Sequence, residues 1–190
     1  MKKDVRFLGI DDSPFTFDDE RVRILGVVTR GPSYVEGVLS RWVDVDGTDA
    51  TDVVGDLIAS TRFRPMLRAV FFNGVTLGGF NLLDLDALWK RLAIPLVAIV
   101  RDEPSLPRSR AALRKHFTDA ETRLAVWERS RPSPVANGTF RVWCSWRGLG
   151  ADEVPGVLAA TTVRGAIPEP LRLAHVIGSG VASGESRGRV

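Results

Sequence analysis

Residues 66–101 read MLRAVFFNGVTLGGFNLLDLDALWKRLAIPLVAIVR, and the four parts of this stretch decide the fold. Residues 67–72 are a nearly unbroken apolar run, the pattern of a strand buried on both faces. Asn73 closes the run. Gly74, Gly78 and Gly79 follow in a loop whose backbone can turn tightly or pass close to a ligand, because glycine tolerates positive φ. Leu82, Leu85, Leu88, Trp89 and Leu92 then recur at helical spacing, with Asn81 and Asp84 placed as a cap. Residues 94–100 form a second buried strand. Strand, loop, helix and strand make one parallel crossover unit of an α/β sheet. Ligands of such sheets bind beyond the carboxyl ends of the strands, which points to Asn73, Gly78, Gly79, Asn81 and Arg101. A plain glycine-rich connection is the other reading of the same loop.

Working outward, residues 5–10 read as a short strand that delivers Asp11 and Asp12 at its end. Residues 22–30 and 34–45 are two more strands, joined through Gly31 and Pro32 as a hairpin, and residues 49–60 form a helix with Val53, Val54, Leu57 and Ile58 on one side. Three antiparallel strands, a helix, then a parallel crossover is the layout of the ribonuclease H-like fold: an α/β domain with a mixed five-stranded sheet flanked by helices. Downstream, helices are expected over 108–116, 119–129 and 152–162, a loop over 131–138 and an added strand over 140–146. Pro168 and Pro170 fix the backbone entering a final helix. Residues from about 179 are rich in Gly, Ser and Arg and are expected to form a flexible tail. With no repeat and no linker, residues 1–190 read as a single domain.

A hydrophobic fraction of 44% and a charged fraction of 26% belong to a globular chain. No run of about 18 apolar residues occurs, so no membrane partner is expected. The start, MKKDVRFLGIDD, meets Arg6 and then two acids before a signal-peptide core could form. Cys144 is the only cysteine, which excludes an internal disulfide and a cysteine zinc cluster and suggests a reducing, cytoplasmic setting. Net charge is +3, yet 22 of the 26 basic residues are arginine, whose planar fork suits phosphate. A biased genomic base composition gives the same ratio. The sequence sets no oligomeric state.

Magnesium takes oxygen ligands, usually one or two carboxylates completed by waters and phosphate oxygens. Asp11 or Asp12 ends the central strand and Asn73 ends its parallel neighbour, while Asp46 or Asp49 sits where the third strand gives way to the first helix. Alternation along a strand turns Asp11 and Asp12 to opposite faces, so only one is expected in the site, and Asp11 is preferred. Each of these residues also has an ordinary reading as a turn initiator, a strand exit or a helix cap. Glu169, Arg172 and His175 recur every three residues, and that polar stripe offers either a proton carrier beside a phosphate-binding cation or a structural ion-pair face.

Four segments resemble endonuclease V, and more closely an uncharacterised endonuclease V-like family found mainly in archaea: GIDDS at 9–13, SYVEGVL at 33–39, the loop and strand from 73 to 101, and IPEPLRLAH at 167–175. The resemblance implies a ribonuclease H-like fold and a magnesium- or manganese-dependent cut in RNA or DNA near a deaminated base such as inosine. It implies that Asp11 is the first metal-binding carboxylate and His175 a further active-site residue, with Tyr34 inside the segment that family wedges beside the lesion. Ser33 and Glu36 replace both wedge prolines, and the family's second acid falls in register at Val43, leaving Asp44, Asp46 or Asp49 as substitutes. Asn73 stands where the family carries an aspartate. The expected metal set is therefore Asp11, Asp46, Asp49 and Asn73. Arg172, with Tyr34, Gly78, Gly79, Asn81 and Arg101, is expected to contact nucleic acid. The competing expectation is a nucleic-acid-binding protein of the same fold that does not cut, and a third is a hydrolase of a small nucleotide.

Overall fold

The computed structural model describes residues 5–188. Among these, nine strands and six α-helices follow in the order β1 (Arg6–Asp12), β2 (Arg21–Arg30), β3 (Tyr34–Asp44), α1 (Ala50–Ser60), β4 (Leu67–Asn73), β5 (Thr76–Leu77), β6 (Asn81–Leu82), α2 (Leu85–Leu92), β7 (Leu96–Val100), α3 (Leu106–His116), α4 (Ala120–Arg129), β8 (Ser133–Asn137), β9 (Phe140–Arg147), α5 (Val154–Thr161) and α6 (Glu169–Ser183). The main sheet has seven strands in the order β3-β2-β1-β4-β7-β9-β8. β1, β2 and β3 pair antiparallel, while β4 joins β1, and β7 joins β4, in parallel. Five strands were expected. The other two are the β8–β9 hairpin, which lies antiparallel on β7: β9 is the added strand expected over 140–146, and β8, at the sheet edge, falls where a loop was expected over 131–138. Pro134 is tolerated in β8 because an edge strand leaves one side unpaired.

Strand parity builds two cores. Leu8 and Ile10 of β1 join Val70 and Phe72 of β4 against α1 and α2, while Phe7, Ala69 and Phe71 face the opposite side and pack with Leu158 of α5 and Leu171 of α6. By the same parity Gly9, Asp11 and Asn73 belong to the α6 face of the sheet.

α6 sits directly on β1. A Cβ on Gly9 would lie 2.2 Å from the backbone of Pro170 and Leu171, so only glycine permits this approach. The contact fixes the site: Asp11 is two residues along the strand from Gly9, and His175 is one helical turn along from Leu171. The helix runs on to Ser183, with Ser179 buried and its hydroxyl accepting from the Arg187 backbone N–H at 2.9 Å. Residues from about 179, expected as a flexible tail, are therefore helical at first. Arg189 and Val190 at the end of that stretch, and Lys2 and Lys3 of the N-terminal reading, lie outside the described residues. Among the described residues no helix is long and apolar enough to cross a membrane.

Candidate active site

β1 and β4 are parallel with Ile10 opposite Phe72, so their next residues, Asp11 and Asn73, end the two strands side by side. Asp11, Asp12, Ser13, Asn73 and His175 line one open cleft of about 230 Å³ at this end of the sheet. Asp11 is buried, and its Oδ2 lies 2.9 Å from Nδ1 of His175. A carboxylate at that distance accepts, which assigns the Nδ1 hydrogen to the bond with Asp11. Nε2 is buried without a hydrogen-bond partner among the described residues. The Asp11 hydrogen bond holds the imidazole pKa above its usual 6.5, against the opposing effect of burial.

Asp12 enters the same cleft, contrary to the expectation of a single acid. The cleft lies at the strand end, where residues of both parities line it. Asp11 leaves toward α6, whereas Asp12 Oδ2 turns to the glycine loop and accepts from the Gly78 N–H at 2.6 Å. Burial, and then the neighbouring Asp11 charge, push the Asp12 carboxyl from 3.8 up to about 6.

Asp46 and Asp49 do not line this cleft. The register explains why: across β2, Asp11 pairs with Leu25 and Leu25 with Ser40, so both acids lie several residues beyond the level of Asp11. Asp46, at φ 55°, accepts from the Phe80 N–H at 2.7 Å and donates its own N–H to the Gly78 carbonyl. Asp49 accepts from Asn81 Nδ2 at 2.6 Å and from the Asp44 N–H. Both acids clamp the glycine loop to the start of α1. Among the described residues no three His, Cys, Asp or Glu side chains stand together as metal ligands, so the expected convergence of Asp11, Asp46 and Asp49 is not what the fold builds.

The other expected contacts divide in the same way. Gly78 and Gly79 both take positive φ, and Gly79 passes so close to Asp46 that a Cβ would sit 2.2 Å from its Oδ1. Asn81 is fully buried, with Oδ1 accepting from the Ala50 N–H at 2.9 Å, and Asp84 rather than Asn81 caps α2 through the N–H groups of Asp86 and Ala87. Arg172 is held bidentately by Glu169, at 2.6 and 2.8 Å. Tyr34 is exposed beneath the Arg30 guanidinium, but it pairs with Arg30 and Arg30 with Arg6, at the end of the sheet opposite Asp11. Arg101 follows β7 and is exposed. Cys144 is buried, and burial pushes its thiol up to about 12, so it is no nucleophile. Sequence alternation missed Asp12; the repeated acid in Asp11-Asp12 was the available signal.

One prediction arises directly. In metal-free protein both shifts favour protonation of the folded state, so each contribution to stability is lost as pH rises: for Asp12 between about 4 and 6, for His175 above 6.5. Asp12→Asn removes the first, and its stability relative to wild type should rise by about 2 kcal/mol between pH 4 and pH 6.5. Urea unfolding at both pH values in chelator measures this. Parallel curves would show that Asp12 ionises normally.

The model of the endonuclease dU family matches residues 3–182. A UPF0215 protein of Thermococcus gammatolerans is 41% identical over 98% of this chain and 96% of its own length. The crystal structure of a protein of unknown function from Archaeoglobus fulgidus superimposes with a TM-score of 0.83 at 33% identity, covering 93% of this chain and 98% of that one. Ciona intestinalis endonuclease V, solved with inosine-containing DNA, superimposes with a TM-score of 0.59 at 11% identity, covering 90% and 82%, and shares the ribonuclease H-like fold alone.

Proposed function

Because the chain belongs to the endonuclease dU family, we propose that it is a magnesium- or manganese-dependent endonuclease acting on nucleic acid in the cytoplasm. The observation that carries this reading is the Asp11–His175 pair at a cleft that Asp12 and Asn73 also line. A pocket with two carboxylates and an amide oxygen fits a hard cation that keeps waters and takes phosphate oxygens, and does not fit an all-protein cage. Burial first and the Asp11 charge second raise the Asp12 pKa, and a cation bound there would offset both. Asp11 and Asp12 would hold the ion, with Asn73 offering its carbonyl. Bound there, it would supply Lewis acidity toward the scissile phosphate.

The chain's own groups do the rest. Asp11 fixes the ring of His175 and stabilises its protonated form. Where substrate binding opens Nε2 to the cleft, the neutral imidazole would take a proton from an attacking water and return it to the leaving oxygen. His175→Ala is expected to slow cutting by about 10²- to 10⁴-fold with little change in strand affinity. Oligonucleotides carrying deoxyuridine, after the dU of the family's name, should be tested beside inosine-containing and undamaged strands, as DNA and as RNA, with magnesium or manganese. The second reading, binding without cutting, is favoured by Asn73 at an aspartate position. It gains if strands are bound and none is cut with either metal.

A further inference from the structure

Beside the catalytic cleft lies a second groove of about 350 Å³, lined by Ser13, Phe15, Arg23, Trp42 and Val181 among others, with Asp19, its one carboxylate, accepting from Thr16. The two openings share Ser13, Pro14 and Phe15, so they lie on either side of one wall. α6 packs on β1, β2 and β4, and Trp42 on the outer strand β3 is left 43% exposed. The Arg23 guanidinium lies over its ring at 4.5 Å. Arg23 has no carboxylate at ion-pair distance among the described residues and reaches only Ser40 Oγ, at 3.4 Å. Arg21, by contrast, is paired with Asp44. Phe17, 74% exposed, stands edge-on to Phe15, and Val181 is 63% exposed at the same groove. Trp42 and Val181, both exposed, line this opening and mark an interaction surface.

We propose that this groove is the track along which a single strand of nucleic acid leaves the cleft, with Trp42 and Phe15 as stacking platforms and Arg23 as a phosphate contact. This rests on the nuclease reading of the cleft. The occupant follows from the chemistry: aromatic faces accept any base, an uncompensated guanidinium suits phosphate, and a strand crossing the shared wall at Ser13, Pro14 and Phe15 reaches the carboxylates. A peptide or a second copy of the chain has no reason to continue into a cleft lined by Asp11, Asp12 and His175.

The test is fluorescence anisotropy of the full chain with a labelled single-stranded oligodeoxynucleotide across a salt series, with cutting measured in parallel. Trp42→Ala should weaken binding about tenfold and Trp42→Phe should retain most of the affinity. Arg23→Ala should lower the salt slope by about one. Trp89→Ala, a similarly exposed tryptophan on α2, should bind as wild type does. If wild type binds and the Trp42 and Arg23 variants bind equally well, the track is overturned while the nuclease reading stands. Binding with these effects but no cutting supports the track and overturns the nuclease reading; failure of wild type to bind overturns both. Trp42→Ala that alters oligomeric state instead of affinity assigns the surface to a second copy and overturns the track.

Discussion

Asp11→Asn should abolish metal-dependent cutting, with a loss of about a thousandfold or more, while the protein stays folded and still binds single strands. Two roles end in that one substitution. The carboxylate is the buried charge closest to His175, and the amide that replaces it neither holds a hard cation comparably nor stabilises an imidazolium. Loss of several kcal/mol of charge stabilisation at the reacting phosphate is a factor of about 10³ at 1.36 kcal/mol per decade. Asp46→Asn and Asp49→Asn provide the contrast. Their carboxylates accept from Phe80 and from Asn81 and Asp44, so those changes should act on stability and leave the cutting step within a few-fold of wild type. Single-turnover cutting at saturating protein separates the cases. A cutting rate for Asp11→Asn near that of wild type would remove the proposed site, and a deep loss in Asp46→Asn would bring that acid back into it.

The sheet was legible because its information is local. The apolar run at 67–72, the helical spacing of Leu85, Leu88 and Leu92 and the second run before Arg101 all describe burial by residue type alone, and β4, α2 and β7 follow them. β8 was hidden because Ser133-Pro134-Val135-Ala136-Asn137 looks like a loop, and only its edge position makes Pro134 acceptable. The end of α6 was hidden for a related reason. Gly178, Ser179 and Gly180 look flexible in sequence, yet Gly178 lies against Ser13 and Ser179 is buried, so their small size serves packing. At the cleft, the meeting of Asp11 and Asn73 was legible from the two strand ends, and that of His175 from the resemblance of residues 167–175 to endonuclease V. Asp46 and Asp49 were misplaced because an acid that receives loop N–H groups and one that receives a cation look alike in sequence. What separates them is the register of β2 on β3 and the loop backbone at Gly78 and Phe80, and both are tertiary.

Gly9→Ala should cost about 3 kcal/mol or more, and Gly9→Val should leave little folded protein. Overpacking a close contact costs about 1–3 kcal/mol when side chains can move aside. Here the new Cβ would meet main-chain atoms of Pro170 and Leu171 at 2.2 Å, and that backbone cannot rotate away without lifting the first turn of α6 from β1. For a chain of this size such a loss lowers the melting temperature by about 10 °C. The effect should extend to the site, because the same contact sets His175 over Asp11 four residues further along the helix. Folded Gly9→Ala should therefore lose cutting beyond what its stability explains, with the His175 pKa falling back toward its usual value as the Asp11 hydrogen bond lengthens. Thermal unfolding and an NMR titration of the imidazole follow the two effects separately. A variant that melts with wild type and keeps the shifted imidazole would show that α6 does not depend on Gly9 for its seat.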